Sequence, residues 1–425
     1  MPELDAYLDG VLVGRFQQSA GGTITFGYRD DATSRTPMSL SMPRTLTEHK
    51  QRAARPYLEG LLPDNPGALQ AIATEYGTSP GSLFGMLTGV GREVPGALQL
   101  LPPDADPDDT TRGAPTGEEA DDEAIAERLR TAIEVYRDGR TTRDVDFRFS
   151  LPGAQAKIAL TRTPDGRWLV PDLRTATTHI FKPSSADQPL PDMDVAEGIT
   201  LEAARRLGLE VPNTDTWRSP DGELSALVVE RYDRRYDESG SIRRLHQEDL
   251  TQALSVPPSK KYQADGGPGV GKVGELIRGR IPARDQHDVA LSFFRGFVFN
   301  IATLGTDAHA KNYSLLLDQN RVALAPLYDL VSAALYYDAD KSSRKLRPSM
   351  WVGGERSFER VTPDSLAAEG VRLGLKRDEA AEVVATILSG AADALLSAAS
   401  DVGRHDMAAA AERNLATFSP ARFDV

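Results

Sequence analysis

The chain contains no cysteine. That excludes disulfides, thiol catalysis and cysteine-ligated metal. Its six histidines (His49, His179, His246, His287, His309, His405) are scattered, with no close pair at zinc-site spacing. No apolar run approaches the roughly 18 residues of a membrane span. The first 20 residues are acidic and mixed, lacking a basic start and an apolar core, so no signal peptide is expected. Positive charge is also short. A net charge of −13 makes the chain a poor sole binder of DNA, because neutralised phosphates supply most of that affinity. The local basic runs Arg243-Arg244 and Arg344-Lys345-Leu346-Arg347 read as solvated faces. What remains is an ordinary globular composition, 40% hydrophobic and 26% charged, with ample chain among 425 residues for about three domains or subdomains. These features fit a cytoplasmic protein without membrane contact.

Residues 1–101 read as a small α+β subdomain. Val11–Phe16 and Thr23–Tyr28 form strands around a turn at Gly21-Gly22, and Tyr57–Leu62 and Ala68–Tyr76 are helical. Residues 102–123 are acidic, proline-bearing and free of aromatics, and read as a linker or loop. Residues 124–246 are dominated by strands, at Ile158–Leu160, Trp168–Val170, Thr177–Lys182 and Leu224–Glu230, with one helix over Val195–Leu207 ending at Gly208. Residues 247–425 are mostly helical, and the tail 363–417 is rich in Ala and Leu at helical spacing. A β-rich lobe followed by a helical one is the order of a protein kinase. The expected class is α+β: a two-lobe protein-kinase-like fold, β-rich N-lobe and all-helical C-lobe, with an extra N-terminal α+β subdomain.

The chemistry concentrates in the second half. Asp307 opens Thr306-Asp307-Ala308-His309-Ala310-Lys311-Asn312, and Asp329 follows in Leu327-Tyr328-Asp329-Leu330. An acid, an Asn five places on and a second acid beyond a hairpin form a minimal kit for ATP-dependent phosphoryl transfer. The first acid takes the acceptor hydroxyl's proton, and the Asn and the second acid hold Mg²⁺ on the phosphates. Upstream, Phe294, Phe297, Val298, Ile301 and Leu304 share a helical face, and that helix is expected to stop at a C-terminal cap on Gly305. Tyr313–Leu317 and Arg321–Leu324 read as a short hairpin around Asp318-Gln319-Asn320, which would bring Asn312 and Asp329 back together. From spacing alone, Asp307 as a turn residue, His309 as a satisfied polar group and Asp329 as a surface acid fit as well.

Three further runs suit a nucleotide site. Lys182 ends the strand Thr178–Lys182 and could meet the α- and β-phosphates, paired with Glu197 on the next helix; an ordinary surface lysine is the alternative. Ser150-Leu151-Pro152-Gly153-Ala154-Gln155-Ala156-Lys157 could present backbone N–H groups to phosphates, with Lys157 adding charge, or could be a simple strand-entry turn. Glu230-Arg231-Tyr232 falls where an adenine-binding hinge belongs, read by backbone rather than side chains. Gly266-Gly267-Pro268-Gly269-Val270-Gly271-Lys272 looks like a Walker A loop but is followed by Val273 rather than Ser or Thr, so the Mg²⁺ hydroxyl is missing. A flexible or substrate-proximal loop is the better description.

Taken together, these residues resemble the HipA family of toxin–antitoxin serine/threonine kinases. The likeness runs through residues 150–157, Thr178–Lys182, Val229–Arg234, Gln247–Leu254, Lys260–Gly269, Thr306–Asn312 and Pro326–Asp329, with Tyr57–Asp64 matching the family's N-terminal subdomain. It spans nearly the whole chain in order. It implies Asp307 as catalytic acid/base, Asn312 and Asp329 as Mg²⁺ ligands, and Lys182 as the ATP-phosphate lysine. Pro152, Gly153, Ala154, Gln155, Ala156 and Lys157 would form the phosphate loop, and Glu230, Arg231 and Tyr232 the hinge. His309, Lys311 and Tyr328 would stand beside the nucleotide. Ser150 matches the family's self-phosphorylated serine. The chain departs from the family at Ala308, where Gly is usual, and at Ala156, where an acid is common.

The resemblance further implies ATP and Mg²⁺ as cofactors and a helix-turn-helix antitoxin (HipB-like) as partner. DNA would be reached only through that antitoxin. The protein substrate would be a translation component such as an aminoacyl-tRNA synthetase. A catalytically weak co-repressor that holds an antitoxin on its operator is the alternative, and a small-molecule kinase of similar shape a third.

Overall fold

The computed structural model describes residues 1–105, 114–139, 151–172, 174–184, 192–338 and 345–420. Ser150 lies outside the described residues. Two compact units emerge: Met1–Pro191 with Asn213–Pro258 and Leu316–Asn320, and Asp192–Pro212 with Ser259–Leu315 and Arg321–Val425. The class is α+β, as expected.

In the first unit, β1 (Glu3–Leu8), β2 (Val11–Gln18), β3 (Ile24–Tyr28), β4 (Glu48–His49) and β5 (Leu98–Leu101) form an antiparallel sheet in the order β4-β3-β2-β1-β5. Its buried side chains, Leu4, Phe16 and Phe26 among them, share a core with Tyr57 and Leu58 of α1 (Gln51–Glu59) and with Ile72 and Leu87 from α2 (Pro66–Glu75) and α3 (Leu83–Val90). The run Tyr57–Leu62 is expected to be helical. The helix instead begins at Gln51 and ends at Glu59, so only its first half is helix.

A six-stranded sheet follows, ordered β10-β11-β9-β7-β8-β6. Its first four strands in the chain are β6 (Gly117–Glu119), β7 (Ile158–Arg162), β8 (Trp168–Pro171) and β9 (His179–Ser184). After α5 (Met193–Arg206), which belongs to the second unit, come β10 (Thr214–Arg218) and β11 (Ser225–Glu230). Two expectations change here. The acidic stretch 102–123, read as linker or loop, contributes β6 and the start of a 17-residue helix, α4 (Asp122–Asp138), within a region read as strands. Asp121 caps that helix by accepting the Ala124 N–H at 2.9 Å, and Asp122 and Glu123 sit in its first turn. Acids there satisfy the exposed N–H groups and the helix dipole, so the charge that looks like disorder in the sequence is a helix start. Ile125 and Leu129 of α4 then pack with Ile158, Phe181 and Trp217 of the sheet.

The first unit ends with the hairpin β12 (Arg234–Tyr236) and β13 (Ile242–Arg244), then β14 (His246–Asp249) and the one-turn α6 (Leu250–Ala253). A cluster of buried charges lies within it. Glu93 accepts from Arg231 (2.8 Å), Arg234 (3.0 Å), the Thr177 hydroxyl (2.8 Å) and Arg244, while Asp233 pairs with Arg231 at 2.9 Å and takes the Gly96 N–H at 2.7 Å. Burial pushes the Glu93 carboxyl up, but the guanidinium groups of Arg244, Arg234 and Arg231 outweigh it and hold it down at about 2.

The second unit is mostly helical. It comprises α5, α7 (Val270–Arg280), α8 (Ala283–Ala302), the first two residues of β15 (Ser314–Asp318), whose remainder is counted in the first unit, β16 (Arg321–Leu324), then α9 (Pro363–Leu373), α10 (Arg377–Asp401) and α11 (His405–Phe418). By length and composition alone α10 could cross a bilayer. It packs along α5, α8, α9 and α11, burying Val384, Ile387, Leu388, Ala391 and Leu395. It is a core helix of this unit.

Helix α8 ends at Ala302, not beside Gly305. Its left-handed residue is Leu304 (φ 58°), and the Leu304 N–H donates to Ile301 O (3.3 Å) and the Gly305 N–H to Asn300 O (2.6 Å). That pair of bonds is a Schellman turn with a leucine in the position glycine usually takes. Gly305 is required for a different reason: a Cβ there would lie 2.6 Å from Asn300 Oδ1. Asn300 has little room to give, since its amide donates to Gly296 O (3.1 Å) and to the Tyr313 hydroxyl (3.0 Å).

Two outcomes are expected. Glu93→Gln strips the buried arginines of a counter-charge and costs about 3–5 kcal/mol in urea unfolding at neutral pH. Because the Glu93 carboxyl is held near 2 instead of an ordinary 4.5, its contribution is full above pH 4.5 and drains as pH falls toward 2. The wild-type and variant stabilities should therefore converge on acidification. Gly305→Ala crowds Asn300 and should lower stability by about 1–3 kcal/mol in the same assay.

Candidate functional site

The second unit gathers the catalytic candidates on the loop that leaves α8. Asp307 O accepts two donors, the His309 N–H at 2.8 Å and the Asn312 side-chain amide at 2.8 Å, and the Asn312 N–H donates to His309 O at 2.9 Å. These bonds wind residues 307–312 into one tight turn, so Asp307 and Asn312 are fixed relative to each other through backbone. The side chains then separate by exposure. Asp307 is 62% exposed and His309 only 4%. Burial, helped by the Lys261 charge, drives the His309 imidazole down to about 4 against the pull of Asp307 and Asp329. At neutral pH it is uncharged, with Nδ1 buried and unpartnered.

Asn312 and Asp329 are held through their neighbours. The Tyr328 hydroxyl donates to Lys311 O at 2.8 Å and pairs with the Ser314 hydroxyl at 2.6 Å. Tyr328, placed beside the nucleotide by resemblance, thus ties the residue before one candidate ligand to the residue before the other. The hairpin closes with the Ala325 N–H on Ser314 O at 2.8 Å. Asp329 itself takes a left-handed φ of 52°, costly for a non-glycine residue and characteristic of functional positions. The following turn is fastened to the end of α8: the Ser332 hydroxyl donates to Thr303 O (2.5 Å) and the Ala333 N–H to Leu304 O (3.2 Å). The Ser332 N–H also reaches the Thr200 hydroxyl on α5 (3.1 Å), the helix whose buried Glu197 is the expected lysine partner. Ala308 does not carry a positive φ, so glycine is not required there.

Among the described residues no group of three or more His, Asp or Glu side chains could hold a metal by itself. One carboxylate and one amide, Asp329 and Asn312, nonetheless suit Mg²⁺. That ion keeps waters and takes phosphate oxygens instead of filling a protein cage.

The remaining candidates lie in the first unit. Lys182 is buried on β9, opposite Leu227 of β11. In the loop before β7 the Lys157 ammonium donates to Pro152 O at 2.8 Å, closing a ring over Gly153, Ala154, Gln155 and Ala156. Gly153 has φ 117° and a Cβ there would be 2.7 Å from Lys157 Nζ, so only glycine fits. At the expected hinge, the Glu230 N–H donates to Asn213 O (2.9 Å) and the Arg231 N–H to Thr178 O (2.8 Å). Those two donors are spent inside the fold. The Arg231 side chain belongs to the charge cluster, a role that needs Glu93, far upstream, to be seen.

The sequence reading also misses Tyr262, whose hydroxyl donates to Asp307 Oδ1. Its run, Lys260–Gly269, is visible as a motif, but nothing local says which loop it meets. The Walker-like glycines do not follow a strand; they precede α7, where Lys272 pairs with Glu275 at 2.7 Å on the helix surface.

The comparisons with known proteins agree with one another. A model described as the HipA-like C-terminal domain matches residues 149–395, and one described as the HipA N-terminal domain matches residues 4–101. Y4mE of Sinorhizobium fredii, named as a kinase, is 35% identical over 408 residues, which is 93% of this chain and 94% of that one. The serine/threonine-protein kinase toxin HipA of Shewanella oneidensis is 28% identical over 388 residues, 88% of this chain and 84% of its own. Among solved structures, the Shewanella oneidensis complex of HipA, HipB and operator DNA matches with a TM-score of 0.77 at 25% identity, covering 99% of this chain and 100% of that one. With one family model covering more than half of its length and a relative above 30% identity across nearly all of it, the chain belongs to the HipA family of serine/threonine kinases.

Proposed function

We propose that this chain transfers the γ-phosphoryl group of ATP to serine or threonine hydroxyls, as the toxin of a toxin–antitoxin pair. The observation that carries it is the wound turn in which the Asn312 amide is bound to Asp307 O, leaving the Asp307 carboxylate exposed. In this scheme Asp307 receives the acceptor's proton. Asn312 and Asp329 would hold Mg²⁺, which would neutralise charge on the phosphates. Lys182 and the 152–157 loop bind the phosphates, and residues 230–232 border the base. Because the Glu230 and Arg231 N–H groups are engaged in the fold, base recognition falls to other backbone groups of that segment.

Ser150 is the proposed site of self-phosphorylation. A phosphate there adds about two negative charges next to a phosphate-binding loop, and repulsion should expel that loop and stop the enzyme. The proposed partner is a helix-turn-helix antitoxin through which the complex reaches DNA, in keeping with the HipA, HipB and operator DNA assembly of the Shewanella relative. A translation component such as an aminoacyl-tRNA synthetase is the proposed substrate, and the cytoplasm the proposed location. That same assembly favours a second role, holding the antitoxin on its operator.

Incubation with γ-labelled ATP and Mg²⁺ separates the roles. Asp307→Ala should lower transfer by about 10²–10⁴-fold while nucleotide binding persists. Equal labelling of variant and wild type would refute Asp307 as the base, and no transfer by either would leave only the operator role. Ser150→Ala should stay active after prolonged exposure to ATP, whereas wild type fades; a variant that silences itself equally defeats the proposed switch.

A further inference from the structure

The run Lys260–Gly269 has no part in the reaction as described, yet it folds as a strap against the catalytic loop within the second unit. The Tyr262 hydroxyl donates to Asp307 Oδ1, and its ring stands edge-on to His309 with centroids 4.8 Å apart. The Ala310 N–H points to Lys261 O at 3.4 Å. On the far side the strap is pinned by the Gln263 N–H on Ser349 O (3.3 Å) and by the Trp351 N–H on Gln263 Oε1 (2.7 Å), while the Ser349 hydroxyl donates to Thr306 O (2.6 Å), the residue before Asp307.

The glycines explain how the strap turns so tightly. Gly266 has φ 83°. The Gly267 N–H donates to Tyr262 O at 2.9 Å, and a Cβ on Gly267 would lie 2.1 Å from Lys260 O and 2.6 Å from Tyr262 O. A Cβ on Gly269 would lie 2.5 Å from Gln263 Oε1, the oxygen that pins the strap to Trp351. Side chains at 267 or 269 would push the segment off its own backbone.

We propose that Tyr262 is a positioning residue for Asp307, and that the glycine-rich run is the turn that delivers its hydroxyl. This deepens the kinase reading and rests on it. In the transfer, the acceptor oxygen bonds to the γ-phosphorus, the bond from that phosphorus to the β–γ bridging oxygen breaks, and ADP departs with the electron pair. The acceptor's proton passes to the Asp307 carboxylate. An exposed aspartate rotates freely, and each rotation moves the accepting oxygen. With Oδ1 tied to the Tyr262 hydroxyl and the ring braced on buried His309, Oδ2 is the oxygen aimed at the acceptor. Tyr262 gives up no proton itself.

The test uses the full chain with γ-labelled ATP and Mg²⁺, following label in protein and in released phosphate, for wild type, Tyr262→Phe, Gly267→Ala, the double variant and Asp307→Ala. Thermal melting confirms folding of each. Loss of one charge-assisted positioning bond should lower kcat about 10- to 100-fold with KM for ATP unchanged, since the proposed role of the phenol is to orient Asp307 and not to bind the nucleotide. Gly267→Ala should reproduce that split, and the double variant should be no worse than the poorer single. Wild-type or faster turnover by Tyr262→Phe, or a fall expressed only in KM, overturns the positioning role while leaving the kinase reading intact. Label transfer that does not depend on Asp307 overturns both.

Discussion

The first unit depends on a cluster of buried charges around Glu93. Arg231, Arg234 and Arg244 converge on it, with Asp233 as the second acid, so three positive charges meet two negative ones away from water. Burial and the neighbouring Arg231 charge depress Arg234 to about 10, low for a guanidinium yet still protonated at neutral pH. Such a cluster is a poor source of net stability, because desolvation consumes most of the Coulomb gain. What it does is join the 91–97 segment, the Thr177 strand entry and the 231–244 hairpin through one set of contacts.

The same economy governs the second unit at a smaller scale. The Asp307 loop is held mainly by backbone carbonyls: Asn300 O, Thr303 O, Leu304 O, Thr306 O, Asp307 O and Lys311 O each receive a donor from within the unit. The Asn312 amide takes part in this scaffolding, while the Asp307 side chain stays largely exposed. Where local geometry is unfavourable, at Leu304 and Asp329, the backbone is forced left-handed by contacts that are individually ordinary. Hydroxyl groups from Tyr328, Ser332 and Ser349 supply three of those donors, and neither serine is recognisable in the sequence as part of a site.

Much was legible before folding. The spacing of Asp307, Asn312 and Asp329, the hairpin between them, the apolar face of α8 and the helix ending at Gly208 all follow from local rules, since each depends on residues a few positions apart. The cap expected at Gly305 is carried by Leu304, and glycine is needed at 305 because Asn300 approaches. The acids at 121–123 look like linker because a helix N-terminus and a disordered acidic stretch share a composition, and only the packing of Ile125 and Leu129 on the sheet distinguishes them.

The sequence by itself determined the class of fold and the family, and it singled out the Asp307 loop as a candidate site, because these reside in short-range patterns and residue types. Tertiary structure alone decided that His309 is buried and neutral, that Arg231 joins a charge cluster, and that Tyr262 reaches Asp307. Each of those roles depends on burial or on a partner tens of residues away, and neither burial nor a distant partner is written in the local order of side chains.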